Sequence, residues 1–385
     1  MYYSSLNGSN SCALKVFAVL FSLLFLYYML ADAPCGGYFD AEKPQLKSFE
    51  SSQKVLAEVP SREYPVDWSK GIAILVVITK DTNPNYYAVA LKSVECYARA
   101  QGYHFILAKD SEYGCDKNND KFFRRHCVTA KLLPKYSAIL FIDGDIGVVN
   151  PKKRIEEYLD DDIDVTFYDR HFNFEVMAGS YLVRNTPYAI ELIRDFGNYE
   201  FKLPNSVHGT DNGAIHIFLA EKLFPNNLIE IDMCRKAYGH SKNFDDLGTY
   251  TACIRTMFGA STDFGKVRIM KKGTGWARDD WLTSGVWSPE RDFMLHGWKT
   301  DHLKVPPAGN IKATAMNWDT WYSPFAGPIV LEKCTPGNTT WLYNKQLMSD
   351  RKSVDAGLRE YEEKVAFNKI KQMGKIFDLM EAKNG

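Results

Sequence analysis

The chain has 385 residues, longer than most single domains but within reach of one large α/β domain with short appendages. Lys+Arg and Asp+Glu balance at 47 each, which excludes the basic footprint of a nucleic-acid-binding protein. No low-complexity tract or internal repeat interrupts an ordinary globular composition, although tryptophan and tyrosine are plentiful enough to supply platforms for sugar rings as well as core.

In chain order, the first element is an uncharged run, Val16 to Ala31, inside a stretch 13–33. At 1.5 Å per residue that stretch covers a hydrocarbon core of roughly 30 Å. Lys15 precedes it, while Asp32, Asp40 and Glu42 follow, which favours a cytoplasmic N-terminus. The chain then reads as tail 1–12, signal anchor 13–33, stem 34–68 with four prolines, folded body 69–345 and C-terminal helix 346–385. The rival is a cleaved signal peptide at Ala31-Asp32-Ala33, releasing a secreted form, although Pro34 would follow the cut.

Both readings put the body in an oxidising compartment. Seven of the eight cysteines follow the anchor, and their spacing matches no zinc motif. Cys115 with Cys127 and Cys234 with Cys253 are the expected pairs, and the odd count leaves a thiol free or paired between chains. Asn338-Thr-Thr is a glycosylation acceptor if its loop is exposed, whereas Asn7 stays cytoplasmic and unmodified in the anchored form.

Ile72 to Ile78 is a continuous apolar, β-branched run, the pattern of a strand covered on both faces. A helix follows, with Tyr86, Ala90, Val94 and Tyr97 on one face and Gly102 at its C-terminal cap. Then come a strand at "YHFILA", a helix at "FFRRHCVTAKLLPKY" ending near Pro134, and a strand at "AILFI". This alternation predicts a doubly wound, Rossmann-like α/β sheet flanked by helices. Strands at 164–168 and 179–185 and helices at "PYAIELIRDFGNY" and "NGAIHIFLAEKLF" continue it. Beyond Asp263 the pattern becomes an irregular Trp- and Gly-rich subregion. From Ser353, Leu358, Tyr361, Val365, Ile370, Met373, Phe377 and Met380 recur at helical spacing, predicting an amphipathic helix packed on the body.

Three motifs carry chemistry. "AILFI" ends in Asp143-Gly144-Asp145, where ligands of open α/β sheets bind. Two carboxylates at i and i+2 can share one hard cation, Mn²⁺ or Mg²⁺, able to bridge a diphosphate; the plain alternative is a turn, with Gly144 easing the backbone. "DFMLHGWKTDH" delivers His296 as a possible third ligand, Gly297, and Lys299 to face phosphate, with His302 a competitor for the histidine role. Asp211-Asn212 opens a helix, holding either a polar ligand or a helix cap, the latter shared with Thr210.

Together, "CVTAKLLPKYSAILFIDGDIGVVNP", "MAGSYLVRN", "TDNGAIHIFL" and "FMLHGWK" resemble the GT-A fold glycosyltransferases of the Golgi α-galactosyltransferase and xyloglucan xylosyltransferase group. They are closer still to a nematode family of glycosyltransferase-like proteins of unknown function, over about Gly71 to His302. The resemblance implies a GT-A-like fold, a Golgi (or ER) type II membrane enzyme and a nucleotide-sugar donor, UDP-sugar favoured. It further implies Mn²⁺ on Asp143, Asp145 and His296, diphosphate on Lys299, donor sugar beside Asp211 and Asn212, and Lys131 facing the donor. Retention of anomeric configuration is implied by resemblance alone. Met177 and Asn212 stand where relatives carry Asn or Ser and Gln, at positions expected to read the sugar.

The expected activity is metal-dependent transfer of a hexosyl or pentosyl group to a glycan or glycoprotein acceptor. The alternatives are a catalytically inactive lumenal binding protein of the same fold, a glycoside hydrolase with carboxylates about 5–9.5 Å apart, and a structural glycoprotein.

Overall fold

A computed structural model describes residues 66–309, 311–313 and 320–381, all within one compact unit, Tyr64–Gly385. The expected tail, anchor and nearly all of the stem, with Asn7 and Cys35, lie outside the described residues. Among the described residues no helix is long and apolar enough to cross a membrane.

The chain opens with β1 (Ile72–Ile78), α1 (Ala88–Gln101), β2 (His104–Lys109), α2 (Lys121–Leu132) and β3 (Ala138–Ile142). β1 pairs in parallel with β2 and β3, as the alternating pattern predicts. After β4 (Ile146–Val148) come β5 (Val165–Tyr168), β6 (Tyr181–Arg184), α3 (Pro187–Gly197), α4 (Thr210–Leu223), α5 (Leu228–Gly239) and α6 (Phe244–Phe258). β7 (Asp263–Phe264) and β8 (Val267–Met270) complete a seven-stranded mixed sheet of order β2-β1-β3-β6-β5-β8-β7.

Every residue of β1 and β3 is buried, because successive side chains enter two different cores. Ala73, Leu75 and Val77 join Ile139 and Phe141 in a large core with α2 to α6. Ile72, Ile74, Val76 and Ile78 join Leu140 and Ile142 in a second core, under α1. Burying one such aliphatic side chain is worth about 1.5–3 kcal/mol, so a single polar substitution on either face of β1 disrupts a core. Local signals agree with the elements. Asn83 caps the turn that leads into α1, Gly102 ends α1 in the left-handed region (φ 77), and Asp120 caps α2 through the Phe122 amide.

Residues after Asp263 are more ordered than the sequence suggests. A three-stranded sheet of order β4-β10-β9 forms from β9 (Ala277–Asp279) and β10 (Met294–His296) with β4. The strands have only three residues each, too short to show a period.

The C-terminal helix is two helices, α7 (Arg351–Met373) and α8 (Ile376–Glu381), separated at Gly374. Val354, Leu358 and Val365 pack inward, but Ile370 and Phe377 are 71% and 65% exposed. The expected stripe therefore fails at these two positions. α7 rests on the body along its first turns and around Gln372, which binds Thr249 and Asp245.

Cys115–Cys127 and Cys234–Cys253 are bonded as expected, and a third pair, Cys96–Cys334, closes a separation of 238 residues. Asn338 lies exposed in a turn near Cys334.

Candidate active site and metal centre

β3 releases Asp143 at the carboxyl ends of the parallel strands, and the Ile146 amide turns back onto the Asp143 carbonyl (3.0 Å). The chain thus reverses into β4. β4 pairs antiparallel with β10 in a register that sets His296 opposite Ile146. β9 pairs in parallel with β10 and sets Asp279 beside His296. Two registers therefore bring together residues more than 130 positions apart.

Ligand atoms of Asp143, Asp145 and His296 all lie within 4.8 Å of one another. His296 Nε2 is 3.3 Å from Asp145 Oδ1, and Nδ1 is 3.0 Å from Asp279 Oδ1. Asp279 is held in turn by Arg170 Nη2 at 2.8 Å. With Nδ1 given to a carboxylate, Nε2 is oriented toward the carboxylate pair, the usual support for a metal-binding histidine. Two carboxylates and an imidazole form a mainly hard donor set that fits Mn²⁺ or Mg²⁺. His302, partly buried beside Asp301, lies outside this cluster, and His296 is the histidine that stands with the two aspartates.

Electrostatics fit the same assignment. Burial works against the Asp145 carboxylate, but His296 and Lys299 outweigh it and hold it down to about 2. Burial also opposes the His296 imidazolium, yet Asp145 and Asp279 raise it to about 10. Asp143 is pushed up by burial, against the pull of Arg125. A proton on His296 thus balances the carboxylates, and an entering dication would replace it.

Gly144 serves a different purpose from an easy turn: a Cβ there would meet the Tyr87 ring at 2.9 Å. Gly179, in "AGS", is required for the same kind of reason, since a Cβ would overlap the Asp143 carboxylate. The amides of Gly297 and Trp298 both donate to the Asp145 carbonyl (3.0 and 2.9 Å), so Gly297 fixes the ligand loop rather than facing phosphate. Lys299 Nζ sits 3.7 Å from Asp145 Oδ2 and remains partly exposed.

These groups form one end of a cavity of about 400 Å³. Val77, Thr79, Tyr86, Asp110 and Phe122 line it further along the strand ends. That volume suits a small polar ligand.

Two expected donor-facing residues are elsewhere. Lys131 donates to the carbonyls of Tyr113 (2.6 Å) and Gly114 (3.2 Å), away from the cluster. In a strand–helix–strand unit the helix begins where the preceding strand ends, so the first turns of α2 overlie the site. Lys131 lies six residues beyond Arg125, roughly 9 Å along the helix. The cation that reaches the site is Arg125, which the sequence reading missed. Its Nη1 binds Asp143, its Nη2 lies 2.6 Å from Asp211 Oδ2, and its guanidinium packs near the rings of Phe122 and Phe141.

Asp211 is fully buried and also contacts His126 Nε2 at 3.1 Å. Burial opposes its charge, but Arg125 and His126 hold its carboxyl far below the usual range. It does not cap α4, whose cap residue is Gly209. Its role is to position Arg125. Thr210, just before it, has φ 53, an uncommon conformation for a β-branched residue, with its amide bound by His208 Nδ1 (3.1 Å). Asn212 stays half-exposed on the first turn of α4. Met177 is 2% exposed in the core beneath the sheet, so it does not read a sugar directly.

Among solved structures, a glycosyltransferase involved in the glycosylation of the major capsid of PBCV-1 shares 15% identity. It covers 59% of this chain and 93% of its own, with a TM-score of 0.38. A197 from STIV shares 10%, covering 40% and 78%, with a TM-score of 0.23. At such TM-scores neither likeness assigns a fold or an activity to this chain. No curated protein matches it. Residues 94–313, more than half of the chain and including the whole metal cluster, match the family described as "Protein of unknown function, DUF273", and the chain belongs to that family.

Proposed function

We propose that the protein transfers a glycosyl group from a nucleoside diphosphate sugar, UDP-sugar favoured, to a glycan or glycoprotein acceptor. The observation that carries this reading is the convergence of Asp143, Asp145 and His296, with Lys299 beside them, at a cavity over the strand ends. Mn²⁺ or Mg²⁺ held by those three residues would stabilise charge on the departing diphosphate. Lys299 supplies a second positive charge on the same side. Arg125, fixed by Asp211, holds Asp143 in place and presents its guanidinium to the cavity.

Three carboxylates line the described cavity. Asp143 and Asp145 belong to the metal cluster, and Asp110 is bound by Arg124 (3.1 Å) and the Lys80 amide (3.1 Å). Asp211 is enclosed, so a covalent sugar–carboxylate route has no carboxylate set aside for it. This favours a front-face transfer with retention; Asn212, half-exposed on the first turn of α4, is the nearest chain neighbour of Asp211.

We place the enzyme in the Golgi (or ER) lumen as a single-pass type II membrane protein. Three disulfides and the uncharged run 13–33 support this, and exposed Asn338 suits glycosylation. The test is nucleoside diphosphate release by the full chain from UDP- and GDP-sugars with Mn²⁺ or EDTA. Release with one donor that EDTA, Asp145→Asn and His296→Ala each abolish supports the proposal. Failure of UDP and GDP to bind in the presence of Mn²⁺ overturns it.

A further inference from the structure

We propose that a second cavity, between the 172–175 loop, α6 and α7, is a subsite for neutral saccharide and receives the distal rings of the acceptor. As an acceptor subsite it rests on the transferase reading; as a saccharide site it stands on its own walls. The cavity measures about 440 Å³, within the range of small-ligand sites. Three aromatic faces, Phe172, Phe174 and Phe244, border it, together with the polar side chains of Glu175, Asp245 and Asn368.

The walls select a chemical class. No lysine or arginine lines the cavity, which argues against an anionic ligand. Each carboxylate already has a cation behind it: Arg170 Nη1 stands 3.6 Å from Glu175, and Lys375 binds Asp245. A basic ligand therefore meets little uncompensated negative charge. What remains is apolar ring faces beside neutralised acceptors and an amide, Asn368, that no described residue engages. A pyranose matches this, with C–H faces for the rings and hydroxyls for the polar groups. Phe244, 79% exposed at the rim, leaves its ring open to a ligand.

The cavity is also joined to the metal centre. Phe172 contacts Trp281 at 6.0 Å between ring centroids, and Trp281 contacts His296 at 5.7 Å. These two ring contacts pack the Phe172 side of the cavity, through Trp281, against His296. Arg170 fixes the loop in the same frame by binding Glu175 on one side and Asp279, the partner of His296, on the other. In this proposal the distal rings of the acceptor occupy this cavity while its reacting end lies at the candidate metal cluster. The acceptor class is a short oligosaccharide rather than a lone sugar.

The experiment titrates the full chain with neutral tetrasaccharides of glucose, xylose, galactose and N-acetylglucosamine, read by saturation-transfer NMR and calorimetry. An oligolysine peptide and UDP with Mn²⁺ are separate arms. Phe244→Ala and Asn368→Ala alter exposed side chains, so circular dichroism should show them folded. The expected result is binding of at least one tetrasaccharide, weakened about tenfold or more in each variant, with UDP affinity in Mn²⁺ retained. No saccharide binding, saccharide binding equal in wild type and both variants, or capture of oligolysine alone overturns the proposal. Saccharide binding that the variants weaken, in protein that fails to bind UDP, would keep this site and sink the transferase reading.

Discussion

Asp279 Oδ1 lies 3.0 Å from His296 Nδ1, while Asp145 Oδ1 faces Nε2 at 3.3 Å, so one imidazole links a buried support to a candidate metal ligand. Asp279 is 2% exposed and has no route to a ligand except through that ring. Asp279→Asn should therefore lower Mn²⁺ affinity about 10- to 100-fold. Calorimetric titration of the folded variant measures it directly, and unchanged affinity would remove Asp279 from the metal centre.

Arg125 joins Asp143 to Asp211, and its loss leaves two carboxylates in low dielectric. Arg125→Met should destabilise the fold by about 3–5 kcal/mol, as expected for one member of a buried ion cluster. Arg125→Lys keeps the charge but not the two-pronged geometry, and should recover only part of this. Urea unfolding of the three proteins gives the order wild type, Lys, Met. Equal midpoints would show that the bridge contributes nothing.

Acid should loosen the core through buried neutral histidines. His216 is pushed down to about 3 by burial and by Arg255, and His171 to about 4 by burial and by Lys272. His216 Nε2 accepts the Val176 amide (3.0 Å), which leaves no room for a proton there. In the unfolded chain both rings protonate near pH 6.5. Their contribution is therefore present in full above about pH 6.5 and falls as pH drops toward 4 and 3. Each ring accounts for about 1.4 kcal/mol per pH unit over its window. Urea midpoints at pH 7, 5.5 and 4.5, in EDTA to remove metal effects, test this. A flat profile would contradict it.

Cys96–Cys334 ties α1 to the loop carrying Asn338, across 238 residues of chain. Replacing the pair by serine should cost about 2–5 kcal/mol. It should also expose the 331–340 segment to protease while metal affinity holds. Differential scanning calorimetry with limited proteolysis separates the two effects.

Much of this architecture was legible in the sequence because buried strands and their helices have recognisable periods. β1, β3 and the Asp143-Gly-Asp145 turn could be read from residues 72–145 alone. What stayed hidden depends on pairing across distance. Nothing local in "ARD" at 277–279 marks Asp279 as the partner of His296, since three-residue strands carry no period. Lys131 and Arg125 are both cations on one helix, and only the direction of that helix over the sheet tells them apart. Asp211 at the start of a helix reads as a ligand holder or a cap, but whether it faces the cavity or the interior depends on Arg125 and His126 from another element.

The β4–β10 pairing has a consequence for the order in which the protein becomes competent. The two aspartates leave the ribosome some 150 residues before the histidine that completes their set. A polypeptide that stops between residues 145 and 296 carries the acidic turn, yet it lacks the third donor and the backbone amides that hold Asp145. In the proposed metalloenzyme, metal capture would thus require synthesis past Trp298, and a product cut short of it would lack the complete donor set however well its first half folded.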